Sequence, residues 1–244
     1  MKLSKKEFVE KTCKLANEAH LELNENQLNK LYEYKEMLIE WNEKFNLTSI
    51  VDDDEIIVKH IIDSLETVKY IKEGQKIIDV GTGAGLPGII ISIYFEGNVN
   101  VTLFDALNKR ILFLNEVIER LDLNNTKAVH GRAEENSRMS EFREKYDVVI
   151  SRAVAVLNVL LELTVPFVKQ NGICLYMKSE KIEEEIKAAK NAQNELGVTY
   201  FNTVNYELRL NDETINHSIV SYIKEKNISD KYPRQYAKIK KNPL

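Results

Sequence analysis

The chain has 244 residues, enough for one α/β domain with an appendage or for two small domains. Hydrophobic residues make up 43% and charged residues 30%, which supplies a packed core under a soluble surface. The net charge of −4 argues by itself against nucleic acid, and the longest apolar region, Val148 to Val168, is broken by Ser151, Arg152, Asn158, Glu162 and Pro166, which excludes a membrane span.

At the N-terminus, Met1 to Glu7 lacks the apolar stretch of a signal peptide. Cys13 and Cys174 lie far apart and in no metal-ligand spacing, so no metal is expected and Cys174 reads as a buried thiol. A cytoplasmic location follows as the default. Residues 1–73 read as a helical extension. Within it Leu31, Tyr34, Leu38, Trp41 and Phe45 recur at spacings of 3, 4, 3 and 4, which puts them on one helix face. Asn46 is placed to end that helix in the left-handed conformation. Asp63 and Glu66 have capping-box spacing and predict the start of a short helix.

From Lys76 the pattern changes to alternating strands and helices. Strands are predicted over 76–80, 99–104, 127–130, 146–150 and 172–177, and helices over 86–95, 108–122, 154–164 and 180–196. This succession predicts a mostly parallel sheet covered on both faces. Two strand-like runs, 198–206 and 217–223, then follow with no helix between them. The fold class expected is therefore α/β, a Rossmann-like sheet closed by an antiparallel hairpin. Its domain would span 74–223, with 224–244 as a tail.

The first strand runs into Asp79-Val80-Gly81-Thr82-Gly83-Ala84-Gly85-Leu86-Pro87-Gly88. Glycines let the backbone take positive φ and approach a ligand closely, and Pro87 suits the first turn of a helix. The free N–H groups at that helix start are expected to attract a carboxylate or phosphate. The next strand ends on Asp105, 20 residues after Gly85, where a carboxylate can accept hydrogen bonds from both hydroxyls of a ribose. Gly83, Gly85 and Gly88 match the dinucleotide fingerprint. Asp79, two residues before Gly81, suits a ligand with an ammonium group and repels a pyrophosphate, so S-adenosylmethionine is favoured over a nicotinamide dinucleotide.

Two features bear on the methyl acceptor. From Lys224 to Leu244 seven basic residues stand against two acidic ones, a basic tail on an acidic body that suggests a polyanion. The fourth strand gives Asp147 to Ala153 without the Asn/Asp-Pro-Pro-aromatic loop usual for exocyclic amine methylation, and neither cysteine is placed to attack a pyrimidine. An acceptor that is already nucleophilic fits, such as guanine N7, which needs alignment and no general base.

These residues resemble, nearly end to end, the bacterial small-subunit rRNA guanine-N7 methyltransferases of the RsmG (GidB) family. The likeness runs through Trp41-Asn42, Asn46-Leu47-Thr48, His60 with Asp63-Ser64-Leu65, the glycine turn, Asp105 with Lys109-Arg110, Gly131 to Glu135, Ser151-Arg152-Ala153, Met177-Lys178, Tyr232-Pro233-Arg234 and Pro243-Leu244. It implies S-adenosylmethionine as cofactor and guanine 527 of 16S rRNA, in the 30S subunit, as target. It further implies that Gly81 and Leu86 line the methionine and ribose side and that Asp105, beside Ala106, holds the ribose. Ala133 and Glu134 would contact the adenine edge. Arg152 and Lys178 would be catalytic, Arg152 where cofactor and target meet. His60, Ser64, Lys109, Arg110, Lys178 and Arg234 would face the RNA. Two places depart from the family pattern: Ser179 replaces a glycine, and Gln235, Tyr236, Ala237 and Ile239 replace its usual C-terminus.

Plainer roles compete for several of these residues. Trp41 lies on the apolar stripe and reads as core. Asn46 and Asp63 can be caps, His60 a satisfied structural group, Glu134 an acid complementing a helix dipole, and Lys109, Arg110 and Lys178 solvated cations. Other activities also fit the residues: methylation of another RNA, a protein or a small molecule, a ribosome-bound factor that holds the cofactor without turnover, or, more distantly, a nicotinamide dehydrogenase. A monomer is expected, since nothing suggests an obligate dimer.

Overall fold

A computed structural model describes residues 2–179 and 182–244. Two capped helices open the chain. In α1 (Lys5–Glu18) Ser4 and Glu7 form a reciprocal capping box, and Asn24 and Gln27 do the same for α2 (Glu25–Phe45). Asn46 ends α2 with φ 49° and ψ 60°, the left-handed cap expected. Leu31, Tyr34 and Leu38 are buried along one stripe of α2, while Trp41 and Phe45 stack 5.2 Å apart and stay partly exposed.

The stretch 53–70 is one irregular helical segment: an α-turn Asp53–Glu55, a π-helix Ile56–Ile62, an α-turn Asp63–Leu65 and a 3-10 turn Glu66–Tyr70. Asp63 therefore caps nothing, contrary to expectation. Its N–H already pairs within the helix, with the carbonyls of His60 and Val58, and its carboxylate is free to reach across the molecule.

Seven strands follow: β1 (Lys76–Val80), β2 (Asn100–Asp105), β3 (Thr126–His130), β4 (Tyr146–Arg152), β5 (Val168–Lys178), β6 (Val198–Leu210) and β7 (Glu213–Lys224). They form one sheet in the order β3-β2-β1-β4-β5-β7-β6. β1 to β5 pair in parallel, and β7 is antiparallel to both β5 and β6. The period of 2 divides the core. Ile77, Leu103, Val148 and Ile150 pack with the N-terminal helices, whereas Ile78, Phe104, Val149 and Tyr176 pack with the helices Leu157–Thr164 and Lys190–Leu196.

Several boundaries differ from the sequence reading, among them the start of β5, which lies at Val168 and not at 172. The hairpin is much longer: Leu208 and Leu210, buried between exposed Glu207 and Arg209, carry β6 on to Leu210, and the mostly polar run Glu213 to Asn216 extends β7. The helix expected from 154 starts at Leu157, whose N–H donates to Glu185 (2.8 Å). Of the helix expected over 180–196, positions 180 and 181 lie outside the described residues. The remainder divides at Ala189 into Ile182–Ala188 and Lys190–Leu196.

The tail is bound to the body. Arg138 donates to the carbonyls of Asp230, Lys231 and Pro233, and Arg143 to those of Ile228, Ser229 and Tyr232. Three of its cations are consumed internally: Lys224 is buried against Glu144, Lys231 pairs with Glu195, and Arg234 pairs with the fully buried Glu162. Lys238, Lys240 and Lys241 stay exposed on the last helix, Tyr236–Lys241, which docks through Ile239 on Val159 and Leu163. Among the described residues, no helix is long and apolar enough to cross a membrane, and no His, Cys, Asp and Glu cluster could hold a metal.

Candidate functional site

The strand order reverses between β1 and β4, and open α/β sheets bind ligands outside the carboxyl ends of the strands at such a switch point. A cavity of about 420 Å³ lies there, a size ordinary for a small-molecule site. Gly81 to Ala84 with Leu86 form one wall, Asp105 to Leu107 with Arg110 a second, and Leu47, Thr48, His60 and Arg152 to Val154 a third.

The turn after β1 is held from three sides. The N–H groups of Gly81 and Thr82 donate to the Phe104 carbonyl (2.8 and 3.1 Å). Tyr34 reaches from α2 to donate its hydroxyl to the Ala84 carbonyl (2.8 Å). Below the turn, Asp79 Oδ2 accepts from the Thr82 hydroxyl (2.6 Å) and the Gly88 N–H (2.8 Å). Gly81 has φ +75°, and a Cβ on it would stand 2.5 Å from Val154 Cγ2. Only a glycine takes that conformation under that contact without strain.

Asp79 corrects the sequence reading. It is fully buried and lines no part of the cavity, so it does not reach a ligand's ammonium directly. The helix start expected to hold a ligand's anion is itself satisfied by Asp79 through Gly88. Burial, opposed by the Thr82 and Gly88 hydrogen bonds, pushes the Asp79 carboxyl up to about 6. Its Oδ1 has no hydrogen-bond partner. A carboxyl whose folded pKa is raised binds protons more tightly folded than unfolded, so its contribution to stability falls as pH rises from about 4 through about 6. Asp79→Asn keeps the shape and an acceptor. It is expected to become more stable relative to the unsubstituted protein by about 3 kcal/mol between pH 4 and pH 8. Thermal midpoints across that range check it, and a constant difference would contradict it.

Asp105 lies on the cavity wall at 2% exposure. Its Oδ2 accepts from the Gly83 N–H (2.9 Å) and from Arg110 (3.0 Å), and its Oδ1 from the Leu107 N–H (2.9 Å). Buried Arg110 Nε has no partner. Ala106 lines the cavity, and its carbonyl lies 3.1 Å from His130 Nε2 at the end of β3. Ala133 and Glu134 begin a one-turn helix just beyond β3 and do not line the cavity; Glu134 faces Arg132 at 3.8 Å.

Arg152, the last residue of β4, enters the third wall. Nη1 donates to the Lys59 carbonyl and to Asp63 Oδ2 (both 2.9 Å), and Nη2 lies 3.5 Å from His60 Nδ1. His60 Nε2 lies 3.1 Å from the Thr48 hydroxyl. Burial, aided by the Arg152 charge, holds the His60 imidazole down to about 4, so it is neutral at neutral pH.

The remaining residues marked by the sequence lie elsewhere. Ser64 is fully buried with its hydroxyl unpartnered, so it does not face an RNA. Lys109 donates to the Phe45 carbonyl (2.8 Å). Lys178 is held by Glu185 (2.7 Å) and the Ala155 carbonyl (2.8 Å) outside the cavity wall. Arg234 spends its guanidinium on Glu162 and the Asn242 carbonyl. Sequence reasoning assigned no role to Thr48 or Val154, and it missed Tyr206 and His217, which join Asp63 from the hairpin. Thr48 stands inside a quoted motif, whereas nothing local marks a contact made from 143 and 154 residues away.

The family described as rRNA small subunit methyltransferase G (GidB) matches residues 27–214. The chain belongs to that family. The ribosomal RNA small subunit methyltransferase G of Clostridium kluyveri is 45% identical over 240 residues, 98% of each chain. The protein of the same name from Clostridium botulinum strain Eklund 17B is 44% identical over 239 residues, 97% of this chain and 99% of its own. Two solved structures share the fold. Bacillus subtilis YcgJ aligns with a TM-score of 0.53 at 12% identity, covering 69% of this chain and all of its own. M. jannaschii TYW2 in complex with AdoMet aligns with a TM-score of 0.51 at 19% identity, covering 66% of this chain and 76% of its own. The fold is the Rossmann-like one of methyltransferases, with the antiparallel C-terminal hairpin read from the sequence.

Proposed function

We propose that the chain is an S-adenosylmethionine-dependent methyltransferase that modifies N7 of guanine 527 in 16S rRNA of the small ribosomal subunit. The observation that carries this reading is the switch-point cavity with Asp105 on its wall, in a chain of this family. The residues fit the cofactor. Asp105 is a ribose acceptor, the Gly81–Gly85 turn admits close approach, and the unpartnered Asp79 Oδ1 puts negative character behind the turn. When bound, the cofactor supplies an electrophilic methyl group on a sulfonium.

A carboxylate has about four lone-pair positions, and three at Asp105 are filled. Asp105 would accept a ribose diol at its free position and at the one Arg110 holds, since its other two donors are the backbone N–H groups of Gly83 and Leu107. Arg152 and His60 face the same space from the opposite wall. Guanine N7 has no proton to lose, so these residues orient the base and leave its lone pair unprotonated. No general base is required of them.

Cofactor choice is tested by thermal unfolding: S-adenosylhomocysteine should raise the midpoint while NAD does not, and the reverse would overturn the reading. Polyanion binding is tested by salt. Exposed Lys238, Lys240 and Lys241 stand on a helix fixed to the body, ready to meet phosphates. Replacing all three with alanine should reduce the slope of log affinity for 30S subunits against log salt by roughly 2, at about 0.7 per contact. An unchanged slope would remove the tail from the RNA interface.

A further inference from the structure

The buried junction beneath Arg152 has a role of its own. Asp63 is 1% exposed, yet it lies in the middle of a helical segment and accepts hydrogen bonds from three separate strands. Arg152 ends β4 and donates at 2.9 Å. Tyr206 of β6 donates its hydroxyl at 2.6 Å, and His217 of β7 places Nδ1 at 2.8 Å. Tyr206 and His217 are direct cross-strand partners, so the hairpin presents both to one carboxylate. These donors hold the Asp63 carboxyl below the ordinary aspartate range against the opposing effect of burial.

The helix is shaped for the same contact. The Asp63 N–H pairs with the carbonyls of His60 and Val58 and skips that of Lys59, the α-helical partner. The Lys59 carbonyl accepts from Arg152 instead. Such π-type irregularities recur at functional sites. Both N–H groups of Arg152 Nη1 are thereby consumed, and the side chain cannot rotate without breaking two charge-assisted or buried bonds.

We infer that Asp63 is the positioning residue of the site: it fixes the Arg152 guanidinium at the cavity wall and is itself fixed by Tyr206 and His217 of the hairpin. The inference rests on the reading of Arg152 as a group that meets the target base. Two consequences follow for that reaction. An arginine free to rotate could donate two bonds to the O6 and N7 edge of a guanine, its commonest base contact, and would cover the lone pair that must attack. Tethering Nη1 closes the end-on Nη1–Nη2 fork and fixes the plane of the guanidinium, so that it cannot swing over the lone pair. The Asp63 charge also offsets the arginine beside a cationic sulfonium, where an uncompensated charge in low dielectric would repel it.

The test uses the full chain carrying Asp63→Asn, which preserves shape and removes the charge. The first readout is the 15N–1H guanidinium signal of Arg152 in the free protein, assigned by its loss in Arg152→Lys. It should exchange slowly with water in the unsubstituted protein and rapidly in Asp63→Asn. The second is methyl transfer to 30S subunits: turnover should fall at least tenfold while affinity for S-adenosylhomocysteine stays within twofold, and the same substitution should add nothing in an Arg152→Ala background. Tyr206→Phe and His217→Gln keep the carboxylate and should each lower turnover about threefold, which keeps the inference testable if Asp63→Asn does not fold. Slow exchange retained in Asp63→Asn, or an equal loss with and without Arg152, would overturn it. Should the unsubstituted protein label no rRNA, the proposed function fails and the guanidinium signal still decides the tether.

Discussion

Replacing Arg152 with alanine is expected to lower methyl transfer by about 10²–10³-fold, the size seen when one pre-organised donor is removed from a reaction centre. Cofactor affinity should change far less, because Arg152 stands on the wall opposite the ribose acceptor. The substitution has a second effect that the geometry makes unavoidable. It leaves Asp63 as a buried carboxylate with only Tyr206 and His217 to satisfy it. Breaking one partner out of a buried pair costs about 3–5 kcal/mol, or roughly 10 °C in midpoint for a chain of this size. Turnover is therefore to be measured well below the new midpoint, with S-adenosylhomocysteine binding as the control. Equal losses of turnover and cofactor affinity would make Arg152 a cofactor ligand alone.

Asp105→Ala is expected to act on the other side of the site. Two charge-assisted hydrogen bonds to a ribose contribute about 1.5–3 kcal/mol each, so their loss raises the cofactor dissociation constant at least about a hundredfold. The Gly83 and Leu107 N–H groups and Arg110 lose their shared acceptor at the same time. The turn and the end of β2 are then joined only by the Gly81 and Thr82 bonds to the Phe104 carbonyl. Titration calorimetry with S-adenosylhomocysteine measures the change directly. An unchanged dissociation constant would mean that the cavity is not the cofactor site.

The sequence made the sheet legible because its signals are local. Buried parallel strands such as Ile77-Ile78 and Val148-Val149-Ile150 are apolar on both faces, and the glycine turn marks where the first one ends. Asn46 announced its cap by residue type and position. The hairpin was read only as far as Tyr206, although Leu208 and Leu210 keep the same alternation; on β7 the start, Glu213 to Asn216, is mostly polar and carries little apolar signal.

The site divides in the same way. Asp105 and the turn are close in sequence to the strands that place them, and the cavity forms where the reading put it. Asp79 was misjudged because its distance from Gly81 says nothing of the turn folding over it. Asp63 was misjudged for a deeper reason. Its spacing to Glu66 satisfies a capping rule, but the segment before it is already helical. Its partners come from β4, β6 and β7, between 89 and 154 residues away. The tail shows the same limit in charge. Seven cations in sequence become four once Glu144, Glu195 and Glu162 have taken theirs: Lys226 and the three exposed lysines of the last helix.

The measurement that bears most directly on the whole account is transfer of a radiolabelled methyl group from S-adenosylmethionine to 30S subunits lacking their own N7-methylguanosine, with the label mapped by strand scission at the modified base. A single labelled guanine is expected, in the decoding region of 16S rRNA. Binding of S-adenosylmethionine with no label in the rRNA would contradict it: the fold and cavity would stand, and the acceptor would have to be sought among other RNAs, proteins or small molecules.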